Sequence, residues 1–232
     1  MNLKLYLEDL SEGINDVGIL KAVFMVGSPG SGKSYTLKQV TSGQIAPRIV
    51  NTDKFFEFFG NDPSFKDKSM QLTANQLVGY LNSMLPLFID STSSNPHNLV
   101  RRKGLLESLG YDCAAVFVET DLDTAIERVR KRKRKVPEEF IRKIHAKVMD
   151  LKGFYKSKFS PFVSIDNNDG ELTQEAVLKA YRAVSSFFTK PVQNPLGKSL
   201  VDRMMAAGEK YLVPNMYSKD YLETMVKVWY SK

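Results

Sequence analysis

Short apolar blocks alternate with longer stretches of helical periodicity along the chain. Lys21–Gly27 is an apolar run ending in a glycine-rich turn, which reads as a buried strand. Lys33–Val40 continues as a helix, and Arg48–Thr52 reads as a second strand. Phe55, Phe56, Phe58 and Phe59 follow on a helix, where such clustering is expected to serve the core. Residues 70–84 carry a helical pattern that Pro86 ends. Leu87-Phe88-Ile89-Asp90 is a third strand with an acid at its end. A helix over Asn98–Leu109 stops at Gly110, and Ala114–Val118 is a fourth strand. Helices are expected over Asp121–Lys135 and from Pro137 to about Lys156, then a strand at Phe162–Ile165 and a helix at Gln174–Phe188. A short helix is also expected at residues 3–10.

Strands alternating with helices predict an α/β fold: a parallel five-stranded sheet with crossover helices on its flanks. Pro191 and Pro195 mark a break. Residues 1–190 are read as one domain and 191–232 as a helical C-terminal extension, with amphipathic helices near Leu200–Tyr211 and Lys219–Trp229. Leu200, Val201, Met204 and Met205 recur at helical spacing, as do Tyr221, Met225 and Trp229. Packing on the domain or on another subunit is the expected role. Deletion of residues 196–232 is expected to cost stability and leave the chemistry.

Composition narrows the class. The chain has 232 residues, of which 43% are hydrophobic and 25% charged, an ordinary globular balance. The formal net charge of +7 favours anionic partners such as nucleotides or nucleic acid. Cys113 is the single cysteine, so no intrachain disulfide or Cys-based metal site exists and a reducing cytoplasm fits. His97 and His145 have no metal-ligand spacing. No run approaches 18 uninterrupted apolar residues, so no membrane partner is expected.

The chemistry centres on Gly27-Ser28-Pro29-Gly30-Ser31-Gly32-Lys33-Ser34, which fits the Walker A pattern G-x-x-x-x-G-K-[ST]. Glycines let successive amides turn inward toward phosphate oxygens, and the helix starting at Lys33 adds the positive end of its dipole. Lys33 is expected on the β- and γ-phosphates of ATP, and Ser34 on Mg2+. Tyr35 continues the nucleotide-binding segment. Asp53 follows the second strand, at the sheet end where ligands bind, and is a candidate general base; its competing role is a helix cap. Asp90 ends the third strand, suited to the magnesium shell or to the acceptor.

Seven of the eight residues from Arg128 to Lys135 are Lys or Arg. A solvated face or a nucleic-acid patch is the plain reading. The place of the run, between a helix and a proline-started helix, also suits a lid whose arginines stabilise the transferred phosphoryl group. Asp121-Leu122-Asp123-Thr124 resembles a phosphatase nucleophile motif, but the acids sit where a helix's first turn favours them.

Taken in order, the phosphate loop, Asp53, Asp90-Ser91-Thr92, Asn95-Pro96, Arg101-Arg102, and Glu127-Arg128 through Lys135-Val136-Pro137 resemble the kinase domain of phage polynucleotide 5′-hydroxyl kinases. That group is related to the zeta-toxin kinases. The resemblance spans roughly residues 20–155, and its most specific part after the loop is the Arg-rich lid ending in Val136-Pro137-Glu138-Glu139. It implies a phage-type kinase at work in a cytoplasm, with ATP and Mg2+ as cofactors. It further implies Asp53 as the base, Arg128 as a nucleotide-site residue and Arg132 as the lid arginine; Arg130 and Arg134 share the run. Two departures stand out. Phe56 occupies the position, three beyond the base, where those kinases carry a phosphate-gripping arginine, and no phosphatase domain is present.

Three functions stay open on these residues. The first is a kinase acting on the 5′-hydroxyl of a polynucleotide. The second is a small-molecule kinase acting on a nucleoside, nucleotide or nucleotide sugar, which Phe56 favours. The third is a nucleotide-dependent binding protein without phosphotransfer, which needs no base at Asp53. No Asn-Lys-x-Asp segment signals guanine.

Overall fold

Residues 21–26 alternate between two apolar cores, and that alternation dictates the architecture. In the computed structural model, which describes residues 18–41, 48–90, 94–132, 136–168, 174–207 and 216–231, strand β1 (Lys21–Val26) is buried along its whole length. Ala22, Phe24 and Val26 face one apolar cluster, while Val23 and Met25 face another. A strand apolar on both faces is stable only with helices on both, as in a parallel sheet.

The chain continues through α1 (Lys33–Val40), β2 (Arg48–Val50), α2 (Thr52–Phe58), a short 3-10 turn (Pro63–Phe65) and α3 (Lys66–Asn82). Then come β3 (Leu87–Asp90), α4 (Pro96–Ser108), β4 (Asp112–Glu119), α5 (Leu122–Arg130), α6 (Glu138–Asp150), α7 (Lys152–Lys158) and β5 (Phe162–Asp166). The last helices are α8 (Gln174–Thr189), α9 (Pro195–Ala207) and α10 (Lys219–Tyr230). The five strands form one sheet in the order β2-β3-β1-β4-β5, and every pairing is parallel.

Period-2 alternation repeats in the neighbouring strands. Leu87 and Ile89 of β3, with Cys113, Ala115 and Phe117 of β4, join the cluster under α3, α4, α6, α7, α9 and α10. Phe88, Ala114, Val116 and Val118 join the cluster under α1 and α8. Phe24, Phe88 and Phe117 are almost fully buried, and truncating any one to Ala is expected to cost about 3–5 kcal/mol.

Helix starts follow their capping residues. Asn51 accepts from the Asp53 amide at 2.8 Å, Asn95 from Asn98, and Asp121 from Thr124 at 2.7 Å. The Asp121 carboxyl, accepting from the Thr124 amide and hydroxyl, is held below its usual range. It is therefore engaged as a cap, as its first-turn position suggests, rather than poised as a nucleophile.

Some boundaries differ from the periodicity. Helix α5 ends at Arg130 rather than Lys135, because a run of like charges on adjacent turns disfavours helix. The helix from Pro137 breaks at Leu151 into α6 and α7. The expected helix at 3–10, residues 208–211 of the first C-terminal helix, and Ser91, Thr92 and Arg134 lie outside the described residues.

The phenylalanine cluster also departs from expectation. Helix α2 buries no residue completely, and Phe58 is 82% exposed. Phe55, Phe58 and Phe59 line an open cavity of about 550 Å³ with Leu72 and Tyr80 of α3 and Ile49 of β2. Strand β2 is the sheet edge, so α2 packs on α3 and the 3-10 turn, with Phe59 stacked on Phe65 at 4.8 Å, and Phe58 is left to solvent.

The C-terminal helices are tied to the sheet. Asp112 accepts the amides of Gln193 and Asn194 at 2.8 and 2.7 Å and pairs with buried Lys21 at 2.5 Å. Gly197 lies so close to Gly110 that a Cβ there would meet the Gly110 carbonyl oxygen at 2.0 Å. Leu200, Met204, Leu222, Val226 and Trp229 then enter the larger core.

Candidate active site

The strand order reverses at β1, so the carboxyl ends of β1, β3 and β2 open on one crevice. The Gly27–Gly32 loop lies at that end of β1. Gly30 and Gly32 hold φ of +85° and +90°, the left-handed region that favours glycine. A Cβ on Gly30 would strike the Ala125 carbonyl oxygen at 2.3 Å, and one on Gly32 would strike Asn167 at 2.2 Å. Both the local turn and its tertiary packing therefore require glycine.

Helix α1 has Gly32 as its N-cap and, like α3, α6 and α7, no side-chain cap. Its first-turn amides thus keep their donors for an anion. Ser31 Oγ is buried in the loop without a hydrogen-bond partner, a further donor left unused within it.

Lys33 donates to the carbonyls of Gly27 and Ser28 at 2.8 and 2.9 Å. Burial lowers its pKa to about 8, opposed by the charges of Asp90 and Asp53 and reinforced by Arg132. Lys33, Asp90, Asp53 and Arg132 therefore share one electrostatic neighbourhood. Asp90 is 8% exposed; its Oδ2 accepts from Ser34 Oγ at 3.1 Å and from Asn51 Nδ2 at 3.0 Å. Asn51 thus holds Asp90 with its amide nitrogen and caps α2 with its oxygen. The cap considered for Asp53 belongs to Asn51, which leaves the Asp53 carboxylate without that role.

Ser34 and Asp90 supply a hydroxyl and one carboxylate, hard oxygen donors from two elements. Mg2+ takes such a set when phosphates and waters complete its shell. Among the described residues no group of three His, Cys, Asp or Glu side chains could hold a metal by itself, so the donor set fits a phosphate-bound ion.

Arg128 and Asn167 brace the loop from behind. Arg128 donates to Gly30 O at 3.4 Å and to Asn167 O at 2.9 Å, and Asn167 Nδ2 donates to Ser31 O at 2.7 Å. Arg132 is exposed just beyond α5. Arg130 is paired with Glu138 at 2.5 Å, so among the described lid arginines Arg132 carries charge to Lys33. Tyr35 is 52% exposed and does not join the cavity described next.

Beside the loop is a polar cavity of about 260 Å³. Its lining includes Asn51 and Asp53, Asp90, Arg102 of α4, and Trp229 and Tyr230 of α10. The arrival of α10 was not legible in the sequence: its apolar spacing predicts packing, and it does pack, against α3 and α4, but its last turn also walls this cavity. Truncation at residue 196 therefore removes part of the site as well as core. Asn167 had no local signal either. Arg102 was visible only as half of a basic pair.

These parts define a P-loop nucleotide-binding site on an α/β fold of the kind seen in P-loop kinases. The chain matches the family model described as AAA domain over residues 23–151, more than half its length, and belongs to that family. Solved structures share the fold. A candidate kinase from Chloroflexus aurantiacus J-10-fl has a TM-score of 0.54 at 13% identity, covering 72% of this chain and 98% of that one. The Pnkp1/Rnl/Hen1 RNA repair complex matches at 0.49 and 20% identity over 62% of this chain and 48% of that one. A gluconokinase from Sinorhizobium meliloti 1021 matches at 0.46 and 16% identity over 72% and 95%. At 13% identity the likeness to the first of these is one of fold. No curated protein is significantly similar in sequence. No helix among the described residues is long and apolar enough to cross a membrane.

Proposed function

We propose that the protein is an ATP-dependent phosphotransferase that moves the γ-phosphoryl group to an acceptor hydroxyl, with the 5′-hydroxyl of a polynucleotide as the preferred acceptor. The observation that carries this reading is the shared cavity. Asp53 and Asp90 line one pocket, Asp90 is hydrogen-bonded to Ser34 of the loop, and both carboxylates act on Lys33. A nucleotide-binding protein without chemistry has no need of a carboxylate in a second pocket beside the loop.

In this reading the loop amides, Lys33 and Ser31 hold the phosphates, and Arg128 and Asn167 keep the loop in shape. Ser34 and Asp90 would hold Mg2+, which when bound offsets phosphate charge. Asp53 takes the proton from the acceptor hydroxyl as its oxygen bonds to phosphorus and the bond to ADP breaks. Arg132 closes from the lid onto the transferred group, where charge spread over the equatorial oxygens makes a cation most effective. The net charge of +7 and the basic run support a polynucleotide acceptor.

A second reading, a small acceptor such as a nucleoside, nucleotide or nucleotide sugar, is favoured by Phe56 and by the cavity's modest 260 Å³, below the usual range of about 300–1,000 Å³ for ligand pockets. Transfer of labelled γ-phosphate, screened over 5′-hydroxyl DNA and RNA, nucleosides and nucleotide sugars, decides. Transfer to none of them, with ATP bound, would refute the phosphotransferase reading.

A further inference from the structure

Arg102 is the cation in the acceptor cavity, and its surroundings are unusual for an arginine. It is half-buried on α4, and no carboxylate pairs with it among the described residues. Its Nε donates to the Trp229 carbonyl at 3.3 Å. Its guanidinium lies 5.3 Å from the Trp229 ring centroid and 5.8 Å from that of Tyr230. Aromatic faces stabilise a guanidinium without neutralising it. Burial pulls the Arg102 pKa below the ordinary arginine value, as expected for a cation removed from water without a counter-ion.

Capping of the C-terminal end of α10 accounts for only part of this placement, the Nε bond to Trp229. The preceding residue shares the capping: Arg101 donates to the Ser231 carbonyl at 2.5 Å and to the Ser231 hydroxyl at 3.0 Å. The bond of Arg102 to α10 is made by Nε, and Arg102 lines the cavity together with Asp53 and Asp90. An acceptor bearing a hydroxyl near the carboxylates and an anion near Arg102 satisfies both ends of the pocket.

We propose that Arg102, held by the aromatic end of helix α10, is a specificity-determining residue that binds an anionic group, phosphate or carboxylate, on the acceptor. The C-terminal extension is then part of substrate selection. This proposal rests on the phosphotransferase reading for the word acceptor, but it is tested by binding alone.

With MgADP saturating the loop, calorimetry compares thymidine 3′-monophosphate with thymidine, and D-gluconate with D-glucose, on the full chain. At least one anionic probe is expected to bind about 10–100-fold more tightly than its neutral counterpart, the range of a charge-assisted hydrogen bond. Which pair shows the difference identifies phosphate or carboxylate. Arg102→Gln is expected to erase the difference, and Arg102→Lys to retain part of it, because the charge stays while the planar fork is lost. The proposal is overturned if neither anion outbinds its neutral partner on the wild-type chain, a comparison that needs no variant to fold. It is equally overturned if Arg102→Gln lowers the melting temperature yet keeps the preference, the result expected of a purely capping arginine. Labelled-phosphate transfer is scored separately, so an anion preference without turnover would sink the kinase reading and leave the Arg102 site standing.

Discussion

The phosphate loop and the acceptor cavity lie side by side but are built in opposite ways. The loop is eight consecutive residues between one strand and one helix, and its glycines, lysine and serine are positioned by their own backbone. The cavity is drawn from four separate stretches, near residues 51–53, at 90, at 102 and at 229–230. The first construction suits a ligand shared across a broad class, because every nucleoside triphosphate presents the same phosphates. The second depends on distant elements, since the C-terminal helix α10 supplies part of the wall. The loop is local in sequence, and the cavity is non-local.

Several substitutions sharpen that contrast, beginning with the largest effect. Lys33→Ala is expected to lower turnover by at least about 100-fold. The fold should survive, because the ammonium sits on loop carbonyls and packs no core; a wild-type rate of labelled-phosphate transfer by a folded variant would remove the loop from the mechanism. Asp53→Asn is expected to reduce kcat by about 100-fold or more. Asp53 is an acid in the first turn of α2 while Asn51 is its cap, so Asp53→Asn and Asp53→Ala are expected to cost about 0.3–1 kcal/mol of helix-dipole stabilisation, a small melting shift beside the loss of kcat. Near-normal kcat in Asp53→Asn would turn attention to Asp90.

The two neighbouring arginines should separate next. Arg132→Ala is expected to lower kcat by about tenfold or more while ATP affinity changes little, because it acts on the transferred group. Arg128→Ala, whose bonds go to Gly30 and Asn167, should weaken ATP binding and stability instead. Steady-state kinetics with a thermal melt tells the patterns apart, and identical profiles would end the division of labour.

A pH measurement tests the loop without mutation. Lys33 has its pKa lowered from 10.5 to about 8 in the unliganded protein. The folded state then binds fewer protons than the unfolded state between about pH 8 and 10.5, so this group's contribution to stability improves as pH rises through that window. Bound phosphate reverses the shift by favouring the ammonium. ATP binding near pH 8.5 should therefore take up a fraction of a proton, measurable by calorimetry in buffers of different ionisation enthalpy, and affinity should fall as pH rises further. Proton release would contradict this. The smallest effect is expected from Asn51→Ala, about 1 kcal/mol for the lost cap, with a loss of kcat as Asp90 loosens. A stability loss with unchanged kcat would limit Asn51 to its cap.

Much of this protein was decided within short stretches of its sequence. Alternating apolar runs and helical periods determined a parallel α/β sheet, because buried parallel strands must be apolar on both faces. The order of residues 27–34 determined an anion-binding loop, because glycine is needed where φ is positive and the lysine and serine follow at fixed distances along one turn. Tertiary structure decided the rest. That Asn51, and not Asp53, caps α2 depends on one rotamer at a strand end. That Asn167 braces the loop depends on β5 lying beside β4. That Arg102 meets Trp229 and Tyr230 depends on α10 crossing α4 more than a hundred residues away along the chain. The phenylalanines of α2, expected in the core, reach only half-burial at Phe55, Phe56 and Phe59 and stay exposed at Phe58, because α2 lies at the edge strand β2. Periodicity states that a face will be buried; which partner buries it, and which side chains at its rim meet a ligand, follows only once distant elements have packed.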